Sequence, residues 1–319
     1  MNMKKVVFAA AALACAAAAT AATRAELLRA KFDSKDTNYV FVVAHRADWR
    51  NHPENSVSAI EGAIAMGVDM VEIDVAKTKD GRYVLSHDGK LDRTTDMKGV
   101  IQNLPFDEVR KARLREGNGG PSAKLTEEKI PSLEEALEAC RGRILVNIDK
   151  FNIDPSGIAA VIKRVGVERQ VVLKGSGDYA TMSAKTGEPW KYVLSREFVY
   201  MPIYTVGAKP SSLGKVREAF AAWDSAPYVP PAYEICIPAD PPMALFADMR
   251  ASPNAPRLWV NTLWDRLAHG HSESLKDADF TADRVWGWCL GLGATLIQTD
   301  RPRDLVEYLD GKGRHTLTE

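Results

Sequence analysis

Cysteine is scarce in this chain and arranged to do little. Of four cysteines, Cys15 falls in an N-terminal apolar segment. Cys140, Cys236 and Cys289 are odd in number, widely spaced and without a C-x-x-C pair. That excludes a disulfide framework and argues against a structural zinc site, so the three read as small buried hydrophobes. Long apolar runs are also lacking. After the first 22 residues no stretch approaches the roughly 18 consecutive apolar residues of a membrane-spanning helix, so no transmembrane span is expected. Charge of one sign is missing too. Lys plus Arg and Asp plus Glu number 42 each, and loss of Lys4 and Lys5 with a leader would leave a net charge near −2. Such a surface has no global basic field to hold nucleic acid or anionic lipid. No glycine-rich dinucleotide loop follows the first predicted strand, which counts against a doubly wound open sheet. Internal repeats and low-complexity segments are lacking as well.

What remains is a chain of 319 residues, 45% hydrophobic and 26% charged, long enough for two modest domains or one α/β barrel. The N-terminus has the parts of a secretory leader over residues 1–22. Lys4 and Lys5 precede an apolar, alanine-rich run, and Ala19-Thr20-Ala21 offers a small-x-small cleavage site. A secreted or periplasmic protein follows, with Ala12-Leu13-Ala14-Cys15 leaving open a lipid anchor on Cys15. The polar segment up to about residue 38 reads as frayed.

From residue 39 onward, short β-branched and aromatic runs alternate with helical patterns. Strand-like runs begin at Tyr39, Met70, Ile144, Gln170, Lys191, Tyr233, Leu258 and Ala294, eight in all. Eight strands alternating with helices predict a (β/α)8 barrel over residues 23–319, with its active site at the C-terminal strand ends. Asn55 or Ser56 can start the first intervening helix, and Ser132 a later one. A small irregular insertion is expected at about 91–129. Before it, an Asp80-Gly81 turn sends the chain back through residues 83–86 to His87 and Asp88.

The densest chemistry lies between residues 45 and 95, which hold three histidines and four arginines. Side chains alternate along a strand, so Glu72 and Asp74 share a side and would face a barrel mouth. Paired carboxylates there suit a hard divalent cation, with Asp149 from the next barrel strand as third ligand; the alternative is pairing with arginine. His45 and His87 each close a strand and suit an acid and a base on either side of a phosphorus atom. Arg46 has the planar fork for a phosphate, or could pair with Glu72. His52 reads as a solvated loop residue, and His269, His271 and Glu273 as a plain polar surface loop.

The segments HRADWRNHPENS (45–56), VEIDVAKTKDGRYVLSHDGKLDRTT (71–95), KIPSLEEALEA (129–139) and IQTDRPRDLVEYL (297–309) together resemble the glycerophosphodiester phosphodiesterase family. The resemblance implies a β/α barrel and a divalent cation, Ca2+ or Mg2+, on Glu72, Asp74 and a further acidic residue, for which Asp149 is the candidate. It also implies acid–base catalysis by His45 and His87 and phosphate contact by Arg46. The expected reaction is hydrolysis of a small glycerophosphodiester to glycerol 3-phosphate and an alcohol. Close variants are a lysophospholipase D-like or cyclic-phosphate-forming relative; a catalytically silent phosphate-binding barrel is the contrasting class. A glycosidase using Glu72 and Asp149 would leave two histidines and an arginine idle. The chain departs from the family in carrying Ala47 for a common glycine. It also has Phe151 where a strand lysine is usual, so the phosphate-facing lysine is either Lys150 or Lys174.

Overall fold

The structure is a computed structural model that describes residues 21–34, 36–176, 178–186, 198–274 and 279–317. Most of the leader-like segment, with Cys15, lies outside the described residues. Among the described residues eleven strands run in chain order: β1 Phe41–Ala44, β2 Met70–Lys77, β3 Tyr83–Leu85, β4 Arg113–Arg115, β5 Leu125–Lys129, β6 Leu145–Asp149, β7 Val171–Gly175, β8 Val199–Thr205, β9 Ala232–Cys236, β10 Arg257–Asn261 and β11 Leu296–Thr299. Eight of these, β1, β2 and β6 to β11, pair in parallel, and β1 closes the ring by bonding both β2 and β11. The fold is therefore an eight-stranded parallel barrel with helices between its strands. The strand expected at 191–194 lies outside the described residues, and the fifth barrel strand is Val199–Thr205. Pro202 in its middle masks that run, because proline removes a ladder donor.

The two faces of each strand divide the core. Outward residues such as Val71, Ile73, Val146, Ile148, Ile235 and Val260 pack under the surrounding helices in the largest apolar cluster. Inward residues change character along the barrel axis. Near the N-terminal end they are apolar: Phe41, Met70, Leu145, Val172, Ala232, Trp259 and Leu296 form a second cluster. One or two pleats later, the same inward lines carry Glu72 and Asp74, Asn147 and Asp149, Lys174, Glu234, Asn261 and Gln298. Strand periodicity thus places an apolar plug below and a polar chamber above.

The segment expected to be frayed is instead the helix Arg24–Asp33. Thr23 accepts from the Glu26 backbone N–H while the Glu26 carboxylate accepts from the Thr23 N–H, a reciprocal cap. Leu28 and Phe32, both buried, close the barrel's lower end, and Arg24 donates to the carbonyls of Gly67 and Val68. The reading as frayed passed over the T-x-x-E pattern at its start. Residues 91–129 hold a short helix, Phe106–Val109, and the β4–β5 hairpin over a small core of Leu91, Ile101, Val109, Ala112 and Leu114. Cys140, Cys236 and Cys289 are buried free thiols.

At the same lower end, His315 Nε2 meets Asp69 Oδ2 at 2.8 Å, and Tyr39 donates to Asp69 Oδ1 at 2.7 Å. Burial disfavours the imidazolium, but Asp69 outweighs it and raises the His315 pKa, helped by Asp310. A raised histidine stabilises the fold fully below its unfolded pKa of about 6.5 and loses that contribution as pH rises through the folded value. The urea midpoint of the wild type should therefore exceed that of His315→Asn most at pH 5.5 and least at pH 9. A constant difference would reject the linkage.

Candidate active site

The C-terminal ends of β2 and β6 stand side by side, with Glu72 opposite Asn147 and Asp74 opposite Asp149. One carboxylate oxygen each from Glu72, Asp74 and Asp149 lie within 4.8 Å of one another, the first two buried and the third partly so. Three acids so close oppose their own ionisation. Burial and then Asp74 push the Glu72 pKa up. Burial opposes ionisation of Asp74 as well, but Lys150, His87, Asn55 and Arg46 together hold it below the usual carboxylate range. An all-oxygen donor set of three closely spaced carboxylates fits a hard divalent cation such as Ca2+ or Mg2+.

His45 follows β1 directly and is buried. Its Nδ1 lies 2.8 Å from Asp300 Oδ1, which also accepts from Trp49 Nε1 at 2.6 Å. Burial would lower the His45 pKa, yet Asp300 and Glu72 raise it. Asp300 is itself placed by Glu273, whose Oε2 accepts from the Asp300 backbone N–H at 2.7 Å. Glu273 Oε1 accepts from Thr262, Thr299 and Trp286 Nε1. The plain-loop reading therefore fails for Glu273, which is buried. The loop after β10 folds inward because its carboxylate finds four donors. His269 and His271 do stay toward the surface, the latter stacked on Trp288.

His87 leaves β3 with its side chain 41% exposed, Nδ1 2.8 Å from Asp88 Oδ1. Arg93 grips both Asp88 and Glu54, and Arg46 Nη1 donates to Glu54 at 2.9 Å. Arg46 and Ala47 both adopt positive φ, 51° and 62°. This turn presents the Arg46 backbone N–H to Glu72 Oε2 at 2.9 Å. So Arg46 meets Glu72 through its backbone, while its side chain lies against Glu54 and, at 3.7 Å, Asp74. Asn55, another positive-φ residue, exchanges two hydrogen bonds with Asp74, accepting from its N–H and donating to its carboxylate. Ser56, not Asn55, caps the following helix Val57–Ala65.

The two candidate lysines part company. β6 ends at Asp149 and Lys150 takes φ +59°, so the chain turns and its amine reaches Asp74 Oδ1 at 3.0 Å and the His87 carbonyl. Lys174 is fully enclosed deeper in the barrel, 2.9 Å from Glu234 and over the Trp259 ring. Trp259 is thus packing, whereas Trp264 is 40% exposed and lies edge-on to His45. Asn261 donates to Gln298 and accepts from the Leu263 N–H.

Residues 45–197, which carry the three carboxylates together with His45, Arg46, His87, Lys150 and Lys174, match the model of the glycerophosphoryl diester phosphodiesterase family. Over that stretch, a little under half of the chain, it is similar to the glycerophosphodiester phosphodiesterase family. Residues 200–309, the second half of the barrel from β8 onward, match a domain of unknown function. A glycerophosphodiester phosphodiesterase of Caldanaerobacter subterraneus subsp. tengcongensis is 34% identical over 158 residues, 46% of this chain and 63% of that protein. The chain spans less than two thirds of the length of these curated relatives, from 32% of a Mus musculus one to 63% of the Caldanaerobacter one. In structure it resembles a glycerophosphoryl diester phosphodiesterase from Parabacteroides distasonis, with a TM-score of 0.63 and 20% identity over 91% of this chain and 92% of that one. It also resembles an Oleispira antarctica phosphodiesterase solved with the product sn-glycerol-3-phosphate, TM-score 0.59 and 18% identity over 85% and 96% of the two chains.

Among the residues that hold this site together, sequence reasoning missed Glu54, Trp49, Arg93, Asp300 and Glu273. The first four lie inside the segments that carry the resemblance, so their positions were flagged even though their partners were not. Glu273 had no spacing signal at all.

Proposed function

We propose that the protein hydrolyses small glycerophosphodiesters to glycerol 3-phosphate and an alcohol, using a divalent cation held by Glu72, Asp74 and Asp149. The observation that carries this reading is the closeness of those three carboxylates, flanked by His45 on the β1 side and His87 on the β3 side. A bound Ca2+ or Mg2+ would polarise the phosphoryl oxygens there. The leader-like residues 1–22 support a secreted or periplasmic place of work.

The protein groups divide the proton work by their surroundings. Asp300 orients His45 and stabilises an imidazolium, which suits His45 to take a proton from the attacking hydroxyl, of water or of the glycerol itself. His87 borders an open groove also lined by Ser86, Lys90, Gln102, Lys150 and Ile153, with room for a departing alcohol. His87 would give its proton to the leaving oxygen as the P–O bond breaks. Lys150, beside both Asp74 and His87, is the lysine poised for a phosphate oxygen.

Purified protein should release glycerol 3-phosphate from glycerophosphocholine with added Ca2+ or Mg2+, and EDTA should stop it. Absence of turnover on every glycerophosphodiester by folded, metal-supplied protein would reject the reading, and a cyclic phosphate as end product would replace hydrolysis by cyclisation. The lysines give a sharper contrast. Lys150→Ala should lower kcat/KM about 10- to 100-fold, the worth of one charge-assisted phosphate contact of about 1.5–3 kcal/mol, with little change in stability. Lys174→Ala should instead cost about 3–5 kcal/mol of stability, because it strands buried Glu234. Chemical denaturation beside steady-state kinetics separates the two.

A further inference from the structure

A second cavity, of about 390 Å3, opens at the opposite, N-terminal end of the barrel. It lies between Ser34 with residues 36–38, the starts of β10 and β11, and the helix Met243–Ala251. Three guanidinium groups line it, and each is held by backbone carbonyls. Arg250 donates to Leu292 O, Arg314 to Thr37 O and Asn38 O, and Arg257 to the carbonyls of Lys31, Phe32, Ser34 and Asp36. Among the described residues none of the three forms an ion pair with a carboxylate. The acidic residue in the lining, Asp36, is already taken by Lys31 Nζ at 3.2 Å and by the Asn38 N–H at 2.8 Å.

Such an arrangement fixes three cations without neutralising them. Arg257 is only 5% exposed, and its Nη1 has no partner among the described residues; the Thr295 Oγ1 in the same lining, also buried, has none. Burial lowers the Arg257 pKa to about 10 despite Asp36 and Asp33, as expected of a charge lacking a close counter-ion. Gly293, at φ +86°, keeps room for Arg250, since a Cβ there would come within 2.7 Å of Nη1. Phe246, Met249 and Leu258 form an apolar side of the wall, facing a polar side with Ser34, Thr37 and Asn38. Three cations beside an apolar wall in a cavity of this volume match a small-molecule site.

We infer that this cavity binds an organic anion, its phosphate or carboxylate head among Arg250, Arg257 and Arg314 and its apolar part against Phe246, Met249 and Leu258. The inference is independent of the reaction at the other end of the barrel. Isothermal titration of the full chain with hexyl phosphate, hexanoate, inorganic phosphate and hexanol tests it. Hexyl phosphate should bind one per chain, at least tenfold more tightly than inorganic phosphate, and hexanol should not bind; hexanoate tells whether a carboxylate head suffices. Arg250→Gln and Arg314→Gln should each weaken hexyl phosphate at least tenfold, while Lys150→Ala at the carboxylate end leaves it unchanged. Arg257 ties down four carbonyls and its replacement endangers folding, so Thr295→Val serves as the interior variant. No binding of hexyl phosphate by the wild type overturns the inference. So does binding that survives both arginine changes, or binding that is lost in Lys150→Ala.

Discussion

Turnover of a glycerophosphodiester by the His87→Ala protein should fall about 10²- to 10⁴-fold, the share a positioned proton donor supplies, with its melting temperature unchanged. The imidazole is 41% exposed and its neighbour Asp88 keeps Arg93 as partner, so truncation strands nothing buried. The loss should fall on kcat and leave KM nearly constant, because the group acts only as the P–O bond breaks. Leaving-group chemistry makes the claim specific. An alkoxide needs the proton, whereas a nitrophenolate leaves readily without it, so the defect should shrink toward wild type on a nitrophenyl ester of glycerol phosphate. His45→Ala should fail on both substrates, since deprotonating the nucleophile is needed whatever departs. Equal defects of His87→Ala on both esters would remove His87 from the acid role, and wild-type rates on the alkyl ester would remove it from catalysis.

The barrel and its carboxylates were legible because period-2 alternation is a local property. M-V-E-I-D-V already states that Glu72 and Asp74 share a face with Met70, and L-V-N-I-D does the same for Asp149. What alternation cannot state is where a strand stops. Had β6 run one residue further, Lys150 would have pointed into the helical layer; its positive φ turns it back to Asp74, and only the three-dimensional chain shows that. Strand β8 was hidden by Pro202 for the same local reason. The helix Arg24–Asp33 did not show as amphipathic because its buried face mixes a charged residue with apolar ones: Arg29 lies inward with Ala25, Leu28 and Phe32. Long-range partners were least visible. Asp300 and His45 are 255 positions apart and meet only because β11 and β1 are neighbours across the barrel seam.

Glu273 is the extreme case of that last kind, and its removal should have the second large effect. Glu273→Ala is expected to cost about 3–5 kcal/mol of folding stability. The Trp286 indole N–H and the Asp300 backbone N–H both lose their acceptor in a buried site, at about 1–3 kcal/mol each. The Thr262 and Thr299 hydroxyls add less, because they can rotate toward carbonyls, and Thr262 already donates to Gln298 O at 2.9 Å. Glu273→Gln separates structure from function. Its single carbonyl oxygen belongs where Oε1 sits, facing three donors, which leaves the amide NH2 against the Asp300 N–H. Stability should suffer less than in the alanine variant, but Asp300 is pushed from its place and the His45 imidazole with it. A displacement near 1 Å at such a group costs up to about 100-fold in rate, so kcat should fall about tenfold or more while most of the fold survives. Urea denaturation and kcat measured on both variants decide this. A glutamine variant with full activity would mean that Glu273 supports the loop after β10 and not the Asp300–His45 pair.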